Sequence, residues 1–102
     1  MFFSKTHDIL TNRGKYMPIV SEFEGIEIYL YFDDHMPPHF HAQYNSNEAL
    51  VDIESSCVLK GALPSNKLKL VLAWSELHKA ELKENWLKAK NKQLPQTIEP
   101  LK

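Results

Sequence analysis

The chain has a single cysteine, Cys57, among its 102 residues. One cysteine cannot form a disulfide within the chain, which is typical of a reducing compartment, so we expect a cytoplasmic protein. Long apolar runs are also absent, since none approaches the roughly 20 residues that a membrane-spanning helix needs. Residues 1–16 carry four charged side chains and no long apolar segment, which argues against a secretory signal. No membrane association is therefore expected.

Positive charge is missing from the middle of the chain. Residues 17–59 contain eight acidic side chains and no lysine or arginine, whereas residues 60–92 contain eight lysines and three glutamates. One interpretation is that the two segments attract each other within the fold. The other is that each segment faces a partner of opposite charge. That partner would be a cation or a basic peptide for the first segment, and an acidic surface or nucleic acid for the second.

Alternating apolar and polar side chains predict β-strands in the first part of the sequence. The clearest three are residues 26–32, 39–44 and 48–54, and shorter candidates lie at 19–23 and 58–59. Because side chains of a strand point alternately to opposite faces, each of these strands has one apolar face for a core.

Residues 66–91 have a different period, with apolar side chains at steps of three and four residues. Such a stripe is typical of an amphipathic helix. It includes Trp74 and Trp86, which we expect to be buried. The predicted fold class is α+β, with a small antiparallel sheet of three to four strands packed against one long C-terminal helix. The prediction makes residues 17–102 a single domain and residues 1–16 an N-terminal extension.

The second and third of the clear strands are close enough in sequence to form a hairpin. Its register must keep their apolar side chains on one face. The predicted register then pairs two histidines with two acids on the polar face: His41 faces Asp52, and His39 faces Glu54. Without a metal ion, these acids would favour the protonated imidazoles and raise their pKa values.

Residues 33–41 read Asp-Asp-His-Met-Pro-Pro-His-Phe-His and hold three of the five histidines. His39 and His41 are two residues apart on a predicted strand, so both point the same way, ~6.6 Å apart along it. That spacing allows both imidazoles to bind one metal ion, with His35 as a candidate third ligand. An acid, Asp33, Asp34, Asp52 or Glu54, would complete the set or orient an imidazole, and Asp34 is the acid that we predict as a ligand. A set of nitrogen and oxygen donors suits Zn, Mn, Fe or Ni.

The same histidines permit metal-free chemistry as an alternative. A histidine held by a carboxylate can transfer protons near neutral pH, so His35, His39 and His41 are candidate catalytic residues. His78, with Glu81 three residues later on the helix, is a further candidate pair. Since His78 also lies on the apolar stripe, a structural histidine bonded to Glu81 is the other interpretation.

Candidate binding residues lie on the predicted helix. Lys79, Lys83 and Lys90 are on the side away from the apolar stripe, where they would contact nucleic acid. Asn85 lies seven residues after His78 and completes a polar seam with the His78–Glu81 pair, so it is the fourth candidate.

Three segments carry a resemblance to a known family. They are Asp34-His35-x-Pro37-Pro38-His39-Phe40-His41, Leu59-x-Gly61-x-Leu63-Pro64 and Trp74-x3-His78-x2-Glu81-Leu82-x2-Asn85-Trp86. Over about residues 17–101 the chain resembles the bacterial family called domain of unknown function 4160. Members of that family often look like one partner of small two-gene cassettes of the toxin–antitoxin type. The resemblance implies a component of such a module, with a small protein partner encoded nearby and RNA as a candidate substrate.

A non-catalytic binding module is the alternative function. Its acidic sheet would dock a basic protein, or its lysine-rich helix would contact nucleic acid. A homodimer is also open, because one helix covers only one face of the predicted sheet. Cleavage of RNA would need a cationic group near the histidines to hold phosphate. Residues 17–59 supply none, so lysines of the helix would have to reach the site.

Overall fold

The computed structural model of the chain describes residues 8–10, 16–32 and 34–102. Six strands lie within these residues: β1 (Asp8–Leu10), β2 (Tyr16–Phe23), β3 (Ile26–Tyr29), β4 (His39–Tyr44), β5 (Asn47–Asp52) and β6 (Val58–Gly61). Strands β2 to β6 form an antiparallel sheet in sequence order, and β1 extends it by pairing with β2. The α+β class is confirmed, but the prediction of three to four strands is wrong. The short candidate at residues 58–59 is present as β6, although all four residues of this strand are exposed.

Two helices follow the sheet, α1 (Ser65–Leu77) and α2 (Lys79–Lys90). They are separated at His78, whose backbone angles of φ −118° and ψ 26° lie outside the helical range. The prediction of one long helix is therefore wrong. Apolar periodicity could not reveal the break, because the stripe continues in phase across it. Within the residues that the structure describes, no helix is long and apolar enough to cross a bilayer.

One hydrophobic core joins the two helices to a single face of the sheet. Both tryptophans of the helical stripe are buried in it, as predicted. The strands contribute Ile26, Ile28, Phe40, Ala42, Ala49 and Val51, and the helices contribute Val71, Trp74, Leu82 and Trp86. Removing this apolar surface from water is the main force that holds the helices on the sheet.

The β4–β5 hairpin turns at residues 45–46, and its register differs by two residues from the predicted one. His39 lies opposite Asp52, and His41 lies opposite Leu50. Asn45 has a positive φ of 55°, which asparagine tolerates better than most residues in a tight turn. A shift of two residues keeps every side chain on its predicted face but changes its partner across the strands.

The C-terminal segment after α2 is tied to both layers of the fold. The side chain of Asn85 donates to the carbonyl of Gln96 at 2.8 Å and accepts from its backbone N–H at 2.9 Å. The backbone N–H of Ile98 donates to the carbonyl of Val20 at 2.7 Å. Asn85, a candidate binding residue by sequence, therefore uses its amide to hold this segment in place.

Candidate metal centre

The loop between β3 and β4 carries a buried carboxylate. The backbone N–H of His35 donates to Asp34 Oδ1 at 2.9 Å. From α2, the ammonium of Lys90 donates to the backbone carbonyl of Asp34 at 2.8 Å. The first contact holds the side chain of Asp34 and the second holds its backbone carbonyl. The second oxygen of the carboxylate, Oδ2, faces strand β4.

Three donor atoms converge where this loop meets β4. Oδ2 of Asp34 lies 3.0 Å from Nε2 of His39 and 3.2 Å from Nε2 of His41. Asp34, His39 and His41 are 5%, 4% and 5% exposed, and their ligand atoms lie within 4.8 Å of one another. In the part of the chain that the structure describes, this is the one cluster of three such groups.

His39 can present only a lone pair to this cluster when it is neutral. Its Nδ1 lies 2.7 Å from the carbonyl oxygen of Pro37. A carbonyl accepts hydrogen bonds and cannot donate them, so Nδ1 must carry the proton. In the neutral ring, the lone pair of Nε2 then faces the anionic oxygen of Asp34. Two acceptors at this distance repel each other unless a proton or a cation lies between them.

Both ring nitrogens of His41 face a carboxylate oxygen. Nδ1 lies 3.2 Å from Oε2 of Glu48, and Nε2 lies 3.2 Å from Oδ2 of Asp34. Burial lowers the pKa of the imidazole, and the hydrogen bond to Asp34 and the charge of Glu48 only partly oppose this effect. Burial therefore favours the neutral ring, which has one N–H for two carboxylates. A second lone pair is left facing an acceptor.

The carboxylate of the cluster keeps its charge. Burial alone would raise the pKa of Asp34, but the hydrogen bonds from His41 and from the His35 backbone, with the charges of the nearby histidines, outweigh burial and lower it. An anionic oxygen and two imidazoles, each with a lone pair on Nε2 when the proton is on Nδ1, form a set of ligands that suits a cation. In known metal sites the nitrogen of a histidine that does not bind the ion typically donates to a carbonyl or a carboxylate. Pro37 and Glu48 supply those two acceptors here.

The three donors border an open cleft of about 600 Å³. His35, Glu48, Tyr31, Leu50 and Lys60 are among its other lining residues. A group bound by the donors would therefore be accessible to a small molecule, since sites for such ligands typically measure about 300–1,000 Å³. The side chain of His35 is 89% exposed and touches Oδ1 of Asp34 at 2.9 Å, so it lies beside the cluster and not within it.

Comparison with known proteins shows to which family the chain belongs. The family described as domain of unknown function (DUF4160) matches residues 25–87. The chain belongs to this family. Its matched segment contains the whole donor cluster, and membership confirms the resemblance seen in the sequence. No curated protein and no solved structure matches the chain.

The second histidine pair of this DUF4160 chain lies outside the cluster. Nδ1 of His78 lies 2.5 Å from Oε1 of Glu81, and the His78 ring packs on Trp74 with a centroid distance of 5.5 Å. The donor cluster contains neither residue of the pair. These contacts are those of a histidine that stabilises the junction between the two helices.

The candidate binding lysines contact the acidic part of the DUF4160 chain. Lys79 donates to the carbonyl of Glu54 at 2.6 Å, and Lys83 forms an ion pair of 2.7 Å with the Glu54 carboxylate. Lys90 holds the loop of Asp34, as described above. These contacts support the interpretation in which the two charged segments attract each other within the fold.

Sequence reasoning missed Glu48 and Tyr29 as members of the site. The Tyr29 hydroxyl donates to Oε2 of Glu48, and the Tyr29 ring stacks on His41 with a centroid distance of 5.1 Å. Burial, followed by the contact with Glu48, raises the pKa of Tyr29, so its hydroxyl keeps its proton. Glu48 was missed because the predicted register placed a different acid opposite His41. A register shifted by two residues would have found it.

The metal-free protein is expected to lose stability as the pH falls below about 6.5. The pKa values of His41 and Asp34 both lie below their ordinary values of 6.5 and 3.8 in the folded chain. At low pH the unfolded chain then binds more protons than the folded one, so the stabilisation is present above each ordinary pKa and lost on acidification. Urea denaturation with a chelator, between about pH 8 and pH 4, measures the loss.

This sign is opposite to the one predicted from the sequence for His41. The expectation that neighbouring acids raise its pKa is wrong, because burial of the ring dominates. The variant His41→Asn should remove the part of the pH dependence that begins near neutrality and reduce the part due to Asp34, whose pKa is lowered by the hydrogen bond from His41. A wild-type free energy of unfolding that rises on acidification from neutral pH would contradict the assignment.

Proposed function

We propose that this chain binds one divalent transition metal ion through Oδ2 of Asp34 and the Nε2 atoms of His39 and His41. The observation that carries the proposal is the convergence of these three ligand atoms, which are buried and lie within 4.8 Å of one another. Zinc, manganese, iron and nickel suit two imidazoles and a carboxylate. When bound, such an ion supplies a Lewis acid and lowers the pKa of a coordinated water.

The protein's own residues prepare the site for this chemistry. The Pro37 carbonyl accepts the Nδ1 proton of His39, and the Glu48 carboxylate would accept the Nδ1 proton of His41, so that both Nε2 lone pairs would be available to a bound ion. Lys90 fixes the Asp34 loop from the helix. The two imidazoles and the carboxylate leave positions toward the cleft for water and substrate, as catalytic metal sites with three protein ligands do. We therefore propose metal-assisted hydrolysis as the reaction class.

The biological setting of this reaction is proposed from the family. The likeness of its members to partners in two-gene cassettes supports a role in a toxin–antitoxin-like module, with a small protein partner and RNA as a candidate substrate. Non-catalytic docking of nucleic acid through Lys79, Lys83 and Lys90 is the less favoured function. All three ammonium groups contact oxygens of the chain itself.

Metal-free acid–base catalysis is the second candidate, because the same geometry favours it. A proton shared between Asp34 and the two imidazoles would also relieve the repulsion among their acceptors. Glu48, whose side chain is 38% exposed, could then exchange protons between His41 and the cleft. This alternative requires that metal ions neither bind to the cluster nor change the activity.

Calorimetric titration of the metal-free, untagged protein with Zn²⁺, Mn²⁺ and Ni²⁺ separates the two candidates. We expect one ion per chain for the wild type and loss of binding in Asp34→Asn, whose neutral amide is a much weaker ligand. Glu81→Gln, which removes a carboxylate outside the cluster, serves as the matched control and should bind normally. Binding that is absent from the wild type, or that is lost in the control and retained in Asp34→Asn, would overturn the metal site.

A further inference from the structure

Strand β6 brings a cation to the wall of the cleft. Lys60 of β6 lies directly opposite Leu50 of β5, and Leu50 lies directly opposite His41 of β4. Residues that face each other across neighbouring strands point to the same side of the sheet. Neighbouring strands lie about 4.8 Å apart, so the Cα atoms of Lys60 and His41 are separated by roughly 10 Å. The flexible side chain of Lys60 can therefore reach over Leu50 toward the donor cluster.

The ammonium group of Lys60 differs from those of the three candidate binding lysines of α2. Lys79, Lys83 and Lys90 each contact an oxygen of the chain. Across the residues that the structure describes, no carboxylate or carbonyl contacts the ammonium of Lys60. It lines the cleft and is free to bind an anion there.

The charges that line the cleft make anion binding depend on the metal ion. Asp34 and Glu48 are two carboxylates against the single ammonium of Lys60, so the cleft without an ion has a negative balance and repels anions. A divalent cation on Asp34, His39 and His41 reverses that balance. An anion would then be attracted from two sides, by the ion at the floor of the cleft and by Lys60 at its wall.

We propose that the substrate of this site carries a phosphoryl group, held between Lys60 and the metal ion. The inference rests on the proposed metal site. A phosphoryl group has three oxygens in a pyramid, so one can face the ion while another accepts from an ammonium on the opposite side. A carboxylate has only two oxygens, in one plane, and a single charge, so it bridges an ion and an ammonium on opposite sides less well than a phosphoryl group does. Lysine is a common ligand of phosphate, and the cleft has room for more of a molecule than its phosphate.

Spectroscopic titration of the Co²⁺-loaded protein with inorganic phosphate tests this proposal. The visible absorption of bound Co²⁺ reports a change of its ligands. We expect phosphate to bind the Co²⁺-loaded protein and not the metal-free one. The variant Lys60→Met should weaken phosphate at least about tenfold and leave the affinity for Co²⁺ itself unchanged. Lys69→Met, which removes an exposed lysine of α1 outside the cleft, should behave like the wild type.

The outcomes separate this proposal from the one on which it rests. Normal binding of Co²⁺ together with phosphate binding that Lys60→Met does not change would overturn the phosphoryl assignment alone. Acetate that binds as tightly as phosphate, with the same dependence on Lys60, would overturn it in favour of a carboxylate. Failure of the wild type to bind Co²⁺ would overturn both proposals. Adenosine monophosphate and a short RNA, compared in the same titration, would show whether a free nucleotide or a strand is preferred.

Discussion

A divalent metal ion is expected to raise the free energy of unfolding by about 2.7 kcal/mol when its free concentration is a hundredfold above its dissociation constant. The reason is that the loop of Asp34 and strand β4 bring the donors together only in the folded chain. An ion that binds the folded state and not the unfolded one must stabilise the fold. Urea denaturation with and without Zn²⁺, Mn²⁺ or Ni²⁺ measures the gain.

The double variant with His39→Ala and His41→Ala should lose this gain completely. It removes both nitrogen ligands and leaves Asp34, which alone binds an ion weakly. His78→Ala is the matched control, because it removes a histidine of another pair. The comparison concerns the gain on adding metal and is therefore independent of what each substitution does to the metal-free fold. A gain that survives in the double variant would place the metal somewhere other than this cluster.

The variant Trp74→Ala is expected to lower the free energy of unfolding by about 3–5 kcal/mol. Trp74 is fully buried, and its ring lies 5.5 Å from that of Phe23 and 5.8 Å from that of Phe40. Its indole N–H donates to the carbonyl of Glu99 at 2.8 Å. The substitution therefore opens a cavity between helix and sheet and also removes one of the hydrogen bonds that hold the C-terminal segment.

Two further variants separate these contributions of Trp74 in urea denaturation. Trp74→Phe keeps an aromatic ring but loses the N–H, so it should cost less than Trp74→Ala. Leu77→Ala in the same helix removes a side chain that is 71% exposed and should change stability by less than about 0.5 kcal/mol. A loss for Trp74→Ala that is no larger than the loss for Leu77→Ala would show that the core is not organised around this tryptophan.

The class of the fold was predictable because the two hydrophobic periods are local properties of the sequence. Period two marked the main strands, and the steps of three and four residues marked the helical region with both buried tryptophans. The break at His78 was not predictable in this way, and the edge strand Val58–Gly61 was predicted only as a short candidate at residues 58–59. The break leaves the apolar stripe in phase, and the edge strand is exposed along its whole length.

The candidate site was predictable to the extent that it depends on neighbouring residues. The two-residue spacing of His39 and His41 placed both rings on one face of β4, and Asp34 was named as a metal ligand beside them. The role of Glu48 depended on the hairpin register, which hydrophobic pattern alone leaves uncertain by two residues. The hold of Lys90 on the Asp34 loop joins residues 56 positions apart in sequence, and no local pattern carries that information.

The burial of His39 and His41 was not predicted from the sequence, and it affects their chemistry. The sequence placed His39 and His41 on the polar face of the sheet, which was predicted to meet solvent, the N-terminal extension or a second copy of the chain. The structure covers this face with the loop of Asp34, and the ring of Trp86 lies 5.4 Å from that of His39. Burial lowers the pKa of the His41 imidazole and so favours its neutral form, which has a lone pair for an ion. That preference is the physical basis for expecting a metal ion there.

A crystal structure of the protein soaked with Zn²⁺, with diffraction measured on both sides of the zinc absorption edge, tests the metal centre most directly. We expect one anomalous peak about 2.0–2.2 Å from Oδ2 of Asp34 and from the Nε2 atoms of His39 and His41. The hydrogen bonds from their Nδ1 atoms to Pro37 and Glu48 should remain. A zinc-saturated crystal in which anomalous peaks lie only at other residues, and the three donors still contact one another directly, would contradict the account.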